Sequence, residues 1–183
     1  MRWTLDPTHA EVEFAVKHLM ISTVKGRFKA FTGSGETDPS GKLTSVAMSI
    51  DTSSVDTNAL QRDEHLRSPD FFDAAKFPAL TFRSTAVRQS GPDVSITGDL
   101  AIRGTTRPVT LTGEFNGPAQ DPWGNSRAAL AVHATINRKD WGLGWNMALE
   151  AGGLMVSDEV KLRIEVEATA VQETGSGQLG AAA

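Results

Sequence analysis

The side chains able to do acid–base or metal chemistry are few. There are four histidines, His9, His18, His65 and His133, and imidazole is the group that titrates or binds metal near neutral pH. On one extended strand His9 and His18, nine positions apart, would face opposite sides and lie ~30 Å from each other. No H-E-x-x-H or comparable spacing occurs, so no metal site is expected. The densest polar group is Arg62-Asp63-x-His65. Asp63 could orient His65 for acid–base work, but on a helix positions i and i+2 point about 200° apart. Anchoring is the better reading, with Arg62 and Asp63 tying the helix to its surroundings by ion pairs and hydrogen bonds. No G-x-S-x-G, S-x-x-K or Gly-rich phosphate loop is present, and no catalytic residue is assigned. His18 stands apart because it ends an otherwise apolar strand face, where a polar group can orient a ligand.

Composition excludes further classes. The 183 residues carry 18 Lys+Arg against 22 Asp+Glu, a net charge of −4. That acidic balance, with no basic cluster, excludes a nucleic-acid partner. Hydrophobic residues at 39% and charged residues at 22% fit one ordinary globular domain. There is no cysteine, hence no disulfide, thiolate nucleophile or Cys-ligated metal. No stretch approaches the ~18 apolar residues of a membrane span. The opening MRWTLDPTHAEVEF holds no apolar run of signal length, so the expected location is the cytoplasm. Residues 1–171 are expected to form the domain, and 172–183 a low-complexity, disordered tail.

The elements that must position any site are strands. Apolar residues alternate with polar ones, the mark of half-buried strands. The clearest case is Val160, Leu162, Ile164, Val166 and Ala168 opposite Glu159, Lys161, Arg163, Glu165 and Glu167. Similar alternation runs through Glu11–His18, Val46–Ile50, Leu80–Ser84, Val94–Ile102 and Val109–Phe115. In Val24–Glu36 the apolar parity slips between Phe28 and Phe31, which predicts a bulge or sharp bend. Arg127–Asn137 is apolar on both parities, which predicts cover on both faces. Eight such strands predict an all-β, antiparallel barrel, because closure removes exposed edges. Between strands three and four a short helical insertion is expected over Ala59–Arg67, with Asn58 as N-cap, crossing one barrel mouth.

Large apolar side chains point one way: Phe14, Phe28, Phe31, Met48, Phe82, Ile96, Leu100, Ile102, Leu111 and Phe115. An eight-stranded barrel is either filled by its side chains or holds one small ligand. Periodicity alone leaves both open.

Several segments carry a resemblance to a known family. They are Trp3-x-Leu5-Asp6-Pro7-x-His9, Val12-x-Phe14-x-Val16-x-His18 and Val24-x-Gly26-x-Phe28, then Arg62-Asp63-x-His65-Leu66-x-Ser68-x-x-Phe71-Phe72. Phe77-Pro78, Phe82, Gly98-x-Leu100-x-Ile102-x-Gly104, Arg107-Pro108-Val109, Arg138-x-x-Trp141-Gly142-Leu143 and Val156-x-Asp158-Glu159-Val160 follow. In this order the chain resembles the YceI-like family of lipocalin-like polyisoprenoid-binding proteins over about Trp3 to Val171. Ala10 replaces the serine usual after the histidine, and many relatives carry a secretion signal that this chain does not show.

The resemblance implies an eight-stranded lipocalin-like barrel whose cavity holds one long-chain lipid, a polyisoprenoid or isoprenoid quinone, with no other cofactor, and a homodimer. The expected ligand-binding residues are Phe14, Val16, His18, Phe28, Met48, Phe82, Leu100, Ile102 and Leu111. Phe71, Phe72, Trp141 and Trp145 would close the mouths, and the head group would meet His18 or Arg62, Asp63 and His65. The expected function is non-enzymatic storage or transport. The alternatives are an enzyme acting on a lipid or quinone head group through Asp63 and His65, and a ligand-free interaction module.

Overall fold

The computed structural model describes residues 1–150 and 152–172. The expected tail therefore lies, beyond Gln172, outside the described residues. Ten strands and one helix follow in order: β1 (Arg2–His18), β2 (Ser22–Phe28), β3 (Phe31–Thr37), β4 (Leu43–Asp51), β5 (Val55–Asp56) and α1 (Leu60–Arg67). Then come β6 (Ala79–Ser90), β7 (Asp93–Ile102), β8 (Thr105–Gln120), β9 (Ser126–Asn137) and β10 (Val156–Ala170). They form one antiparallel sheet ordered β10-β9-β8-β7-β6-β4-β3-β1-β2-β5, closed on itself by β10 pairing with β1. Among the described residues no helix is long and apolar enough to cross a membrane.

The parity slip after Phe28 is a bend. β2 and β3 are two halves of one stave, both hydrogen-bonded to β1: Phe28 opposite Val12, Ser34 opposite Thr4. Counted once, and with the two-residue β5 set aside, that stave makes the barrel eight-stranded. The short helix sits between β5 and β6, after the third and before the fourth stave, as the sequence predicts.

β1 is longer than its alternation suggests. Its pairing with β10 stops at Asp6↔Glu167 and resumes at Ala10↔Val166, so Pro7, Thr8 and His9 have no cross-strand partner there. Proline cannot donate to a ladder, and Asp6 accepts the Thr8 backbone N–H (3.0 Å) and hydroxyl (2.6 Å) instead. An odd insertion inverts parity. Trp3 and Leu5 before it and Val12 after it, on opposite parities, are therefore all buried.

Two expectations are corrected. Asn58 does not cap the helix: it sits at φ +59°, a conformation asparagine tolerates, and its N–H goes to Asp56 Oδ1 (3.0 Å). Ala59 stands at the N-cap, without a side-chain cap. β9 is not covered on both faces. Ala128, Val132 and Ala134 are buried while Ala129, Ala131, His133 and Thr135 are exposed, because alanine is small enough to face water at little cost.

Between β7 and β8, Arg103 (φ +48°) and Gly104 (φ +75°) form a two-residue turn with both central residues left-handed, the type whose twist matches a hairpin. One barrel end is plugged by Trp3, whose indole N–H donates to Thr37 Oγ1 (3.0 Å) and which belongs to the same buried cluster as Leu43, Val94 and Phe115. The other end is covered by α1 and the segment after β9.

Candidate functional site: a two-chamber barrel cavity

The inward faces leave two adjoining spaces. The lower chamber, about 150 Å³, lies toward the plugged end and is walled by apolar side chains of β4, β6, β7, β8, β9 and β10. The upper chamber, about 580 Å³, lies beneath α1 and the segment after β9. Phe28, Leu80, Ile102, Ile136 and Leu162 line both, so the two chambers abut end to end along the barrel, with a waist at those residues.

The lower wall includes the predicted Met48, Phe82, Leu100 and Leu111. Strand register explains the grouping, since Met48 pairs with Phe82 and Phe82 with Leu100 on adjacent staves. The upper wall includes Phe14, Val16, His18, Arg62, His65, Phe71, Phe72 and Trp145. Phe28 and Ile102 are at the waist.

Two predicted residues are elsewhere. Trp141 is buried, but its indole N–H donates to Leu100 O (3.0 Å). It fastens the turn Arg138–Trp141 to β7 from outside the chambers instead of closing a mouth. Asp63 is also buried away from the cavity, where its Oδ1 accepts the Thr57 N–H (2.8 Å) and hydroxyl (2.6 Å). Arg62 reaches the same threonine, Nε to Thr57 Oγ1 (2.7 Å) and Nη2 to Thr57 O (2.9 Å). Arg67 binds Ser53 O and Val55 O. These side chains anchor α1 to the chain on its N-terminal side. They do so through hydrogen bonds, without the expected ion pairs of Arg62 and Asp63.

His65 turns away from Asp63. Its Nε2 lies 2.9 Å from Asp70 Oδ2, and its ring meets Trp145 edge-to-face at 4.6 Å and Phe71 at 5.1 Å between centroids. Trp145 and Phe71 are 5.3 Å apart. The three rings form the roof where α1 touches the segment after β9. The Asp63–His65 acid–base pair is thus not formed, and no metal-binding cluster occurs among the described residues.

Arg138 is the wall residue that sequence reasoning missed. Its buried guanidinium donates to the carbonyls of Ser157 (2.9 Å), Trp145 (2.9 Å) and, in a short contact, Leu143. Asp158 Oδ1 is 3.5 Å away. Burial pulls the guanidinium's pKa down, with Asp158 opposing. One side chain thereby ties Leu143 and Trp145 on one side to Ser157 on the other and fastens both flanks of a strap, described over residues 143–150 and 152–157, across the mouth. Leu66, Leu143 and Met155 also line the upper chamber. Leu80, Ile136 and Leu162 at the waist carry a usable signal, their inward parity. Arg138, Leu143 and Met155 lie in or beside irregular chain, where no period marks a direction.

Residues 3–168 match the family model of the YceI-like domain. "Protein YceI" of Escherichia coli O17:K52:H18 is 43% identical over 160 residues, covering 87% of this chain and 81% of that protein. The crystal structure of the Campylobacter jejuni YCEI protein superposes with a TM-score of 0.75 at 31% identity, covering 85% of this chain and 90% of that one. A polyisoprenoid binding domain from Saccharophagus degradans shares the fold, with a TM-score of 0.69 at 16% identity over 92% of this chain and 98% of that one. By family match, identity and coverage, this chain belongs to the YceI-like family.

Proposed function

We propose that the barrel binds one long-chain lipid, an isoprenoid or similar chain, and stores or carries it unaltered. The observation that carries this reading is the pair of chambers inside the barrel, a lower one walled by apolar side chains and a larger upper one that meets it at the waist. The two volumes together fall within the ~300–1,000 Å³ of small-ligand sites. Each buried methylene contributes ~0.8 kcal/mol, so ten such units supply roughly 8 kcal/mol against association costs of about 4–15 kcal/mol. The shared fold of the Saccharophagus degradans domain, which is named for polyisoprenoid binding, points the same way. Delivery to an acceptor rather than chemistry on the ligand is supported by the geometry at the roof, where Asp63 and His65 serve separate partners.

The test is native mass spectrometry of the purified protein before and after solvent extraction. A stoichiometric adduct of isoprenoid or acyl composition is expected. A clean polypeptide mass that stays unchanged after incubation with prenyl lipids overturns the reading in favour of a filled interaction module.

A further inference from the structure

The two chambers differ in charge. No ionisable side chain lines the lower one. The upper one is lined by Lys17, His18, Arg62, His65 and Arg138, with no aspartate or glutamate on its wall. The nearby carboxylates are engaged elsewhere: Asp63 by Thr57, Asp70 by His65, and Asp158 by Arg138 and Lys139 (2.9 Å).

Arg62 is the informative member of this group. Its Nε and Nη2 are fixed on Thr57, which is itself held by Asp63. The guanidinium is therefore oriented in advance. Among the described residues it has no carboxylate within ion-pair distance, and its Nη1 makes no hydrogen bond. Arg27, Arg127 and Arg163 each pair with at least one carboxylate. The Arg138 charge, by contrast, is spent mainly on backbone carbonyls. An oriented guanidinium with a free donor, solvent-exposed at the wall of the upper chamber, is an arrangement that recognises an anion.

Resting on the lipid-binding reading above, we propose that the upper chamber takes the anionic head of an amphiphile, a carboxylate or a phosphate monoester. Arg62 Nη1 is its charged contact, and the tail runs through the waist into the lower chamber. The ligand is held tail-down, with one fixed polarity.

The experiment compares two matched pairs by competition against a fluorescent lipid: geranylgeranyl phosphate with geranylgeraniol, and palmitate with hexadecanol. One charge-assisted contact predicts at least about tenfold tighter binding of an anionic member than of its alcohol. A preference confined to one pair identifies the head as phosphate or carboxylate. Arg62→Gln is expected to remove the preference, read as the ratio of affinities within each pair. Because Arg62 also holds α1, circular dichroism accompanies each variant, and Arg62→Lys, which keeps the charge but not the fork, is expected to retain part of the preference. Equal affinities within both pairs for the wild-type protein overturn the head-group assignment alone. An undiminished preference in folded Arg62→Gln does the same. Failure of all four ligands to bind overturns the lipid reading along with it.

Discussion

The ring of Phe14 lies over Gly26, its cross-strand partner, and occupies the space in which a Gly26 side chain would stand. The same ring packs on Phe28 at 5.7 Å between centroids, so the glycine lets β1 put an aromatic on the upper wall without widening the barrel. Gly26→Ala is expected to destabilise the protein by about 1–3 kcal/mol, the usual cost of overpacking, lowering Tm by roughly 2–4 °C per kcal/mol at this size. Combined with Phe14→Leu, the change should cost much less than the sum of the two singles. Thermal melts showing additive effects would remove the steric account.

The lower chamber admits a direct block. Leu100 points into it beside Phe82, and Leu100→Trp should fill it. Probe affinity is expected to fall at least tenfold, with a folded barrel by far-UV circular dichroism. A folded variant that binds a fluorescent prenyl lipid as tightly as before means that the tail does not reach Leu100.

Arg138 offers a test of the strap. Arg138→Met leaves the carbonyls of Leu143, Trp145 and Ser157 without their donor, a loss of roughly 2–4 kcal/mol. Hydrogen exchange should quicken first in residues 143–150 and 152–156 and only later in the staves. Uniform quickening across the barrel would mean that Arg138 serves the whole fold and not the mouth.

Much of this was legible in the sequence because strand parity reports direction. Val160 through Ala168 alternate without interruption, and the parity slip between Phe28 and Phe31 marked the bend between β2 and β3. The lining of the lower chamber follows from the same rule. What stayed hidden lies where side chains answer to tertiary partners. Trp141 and Trp145, four residues apart, look interchangeable as mouth aromatics, yet one hydrogen bond to Leu100 O draws Trp141 outside the chambers. The role of Arg138 depends on carbonyls up to nineteen residues downstream, at Ser157, and no local pattern encodes them. Asn58 is a good cap by type, but its backbone is left-handed (φ +59°) where an N-cap is extended, and Ala59 takes that place.

Acid should weaken the fold through carboxylates that are charged and bonded in the native state. Hydrogen bonds, foremost from the Asn125 side chain, hold the Asp121 pKa down to about 2, and Lys29 foremost holds Asp56 at about 2. A depressed native pKa gives stability that is present above the unfolded value near ~3.9 and is lost as pH falls toward the native one. Tm is therefore expected to drop between about pH 4 and pH 2. Asp121→Asn should flatten part of that drop, and melts of wild type and variant with identical acid slopes would remove Asp121 from the account.

The closure of the barrel by its first and last strands has a consequence for biosynthesis. Val12 pairs with Ile164 and Phe14 with Leu162, contacts that local chain cannot form and whose loop closure slows folding. While a ribosome is still making Val156–Ala170, β1 and β9 are both open edges, the state most exposed to wrong partners. No enclosed cavity exists in that interval. On the lipid-binding reading proposed above, a nascent chain has no enclosed site to load, and loading begins only when the final stave zips the first to the ninth strand.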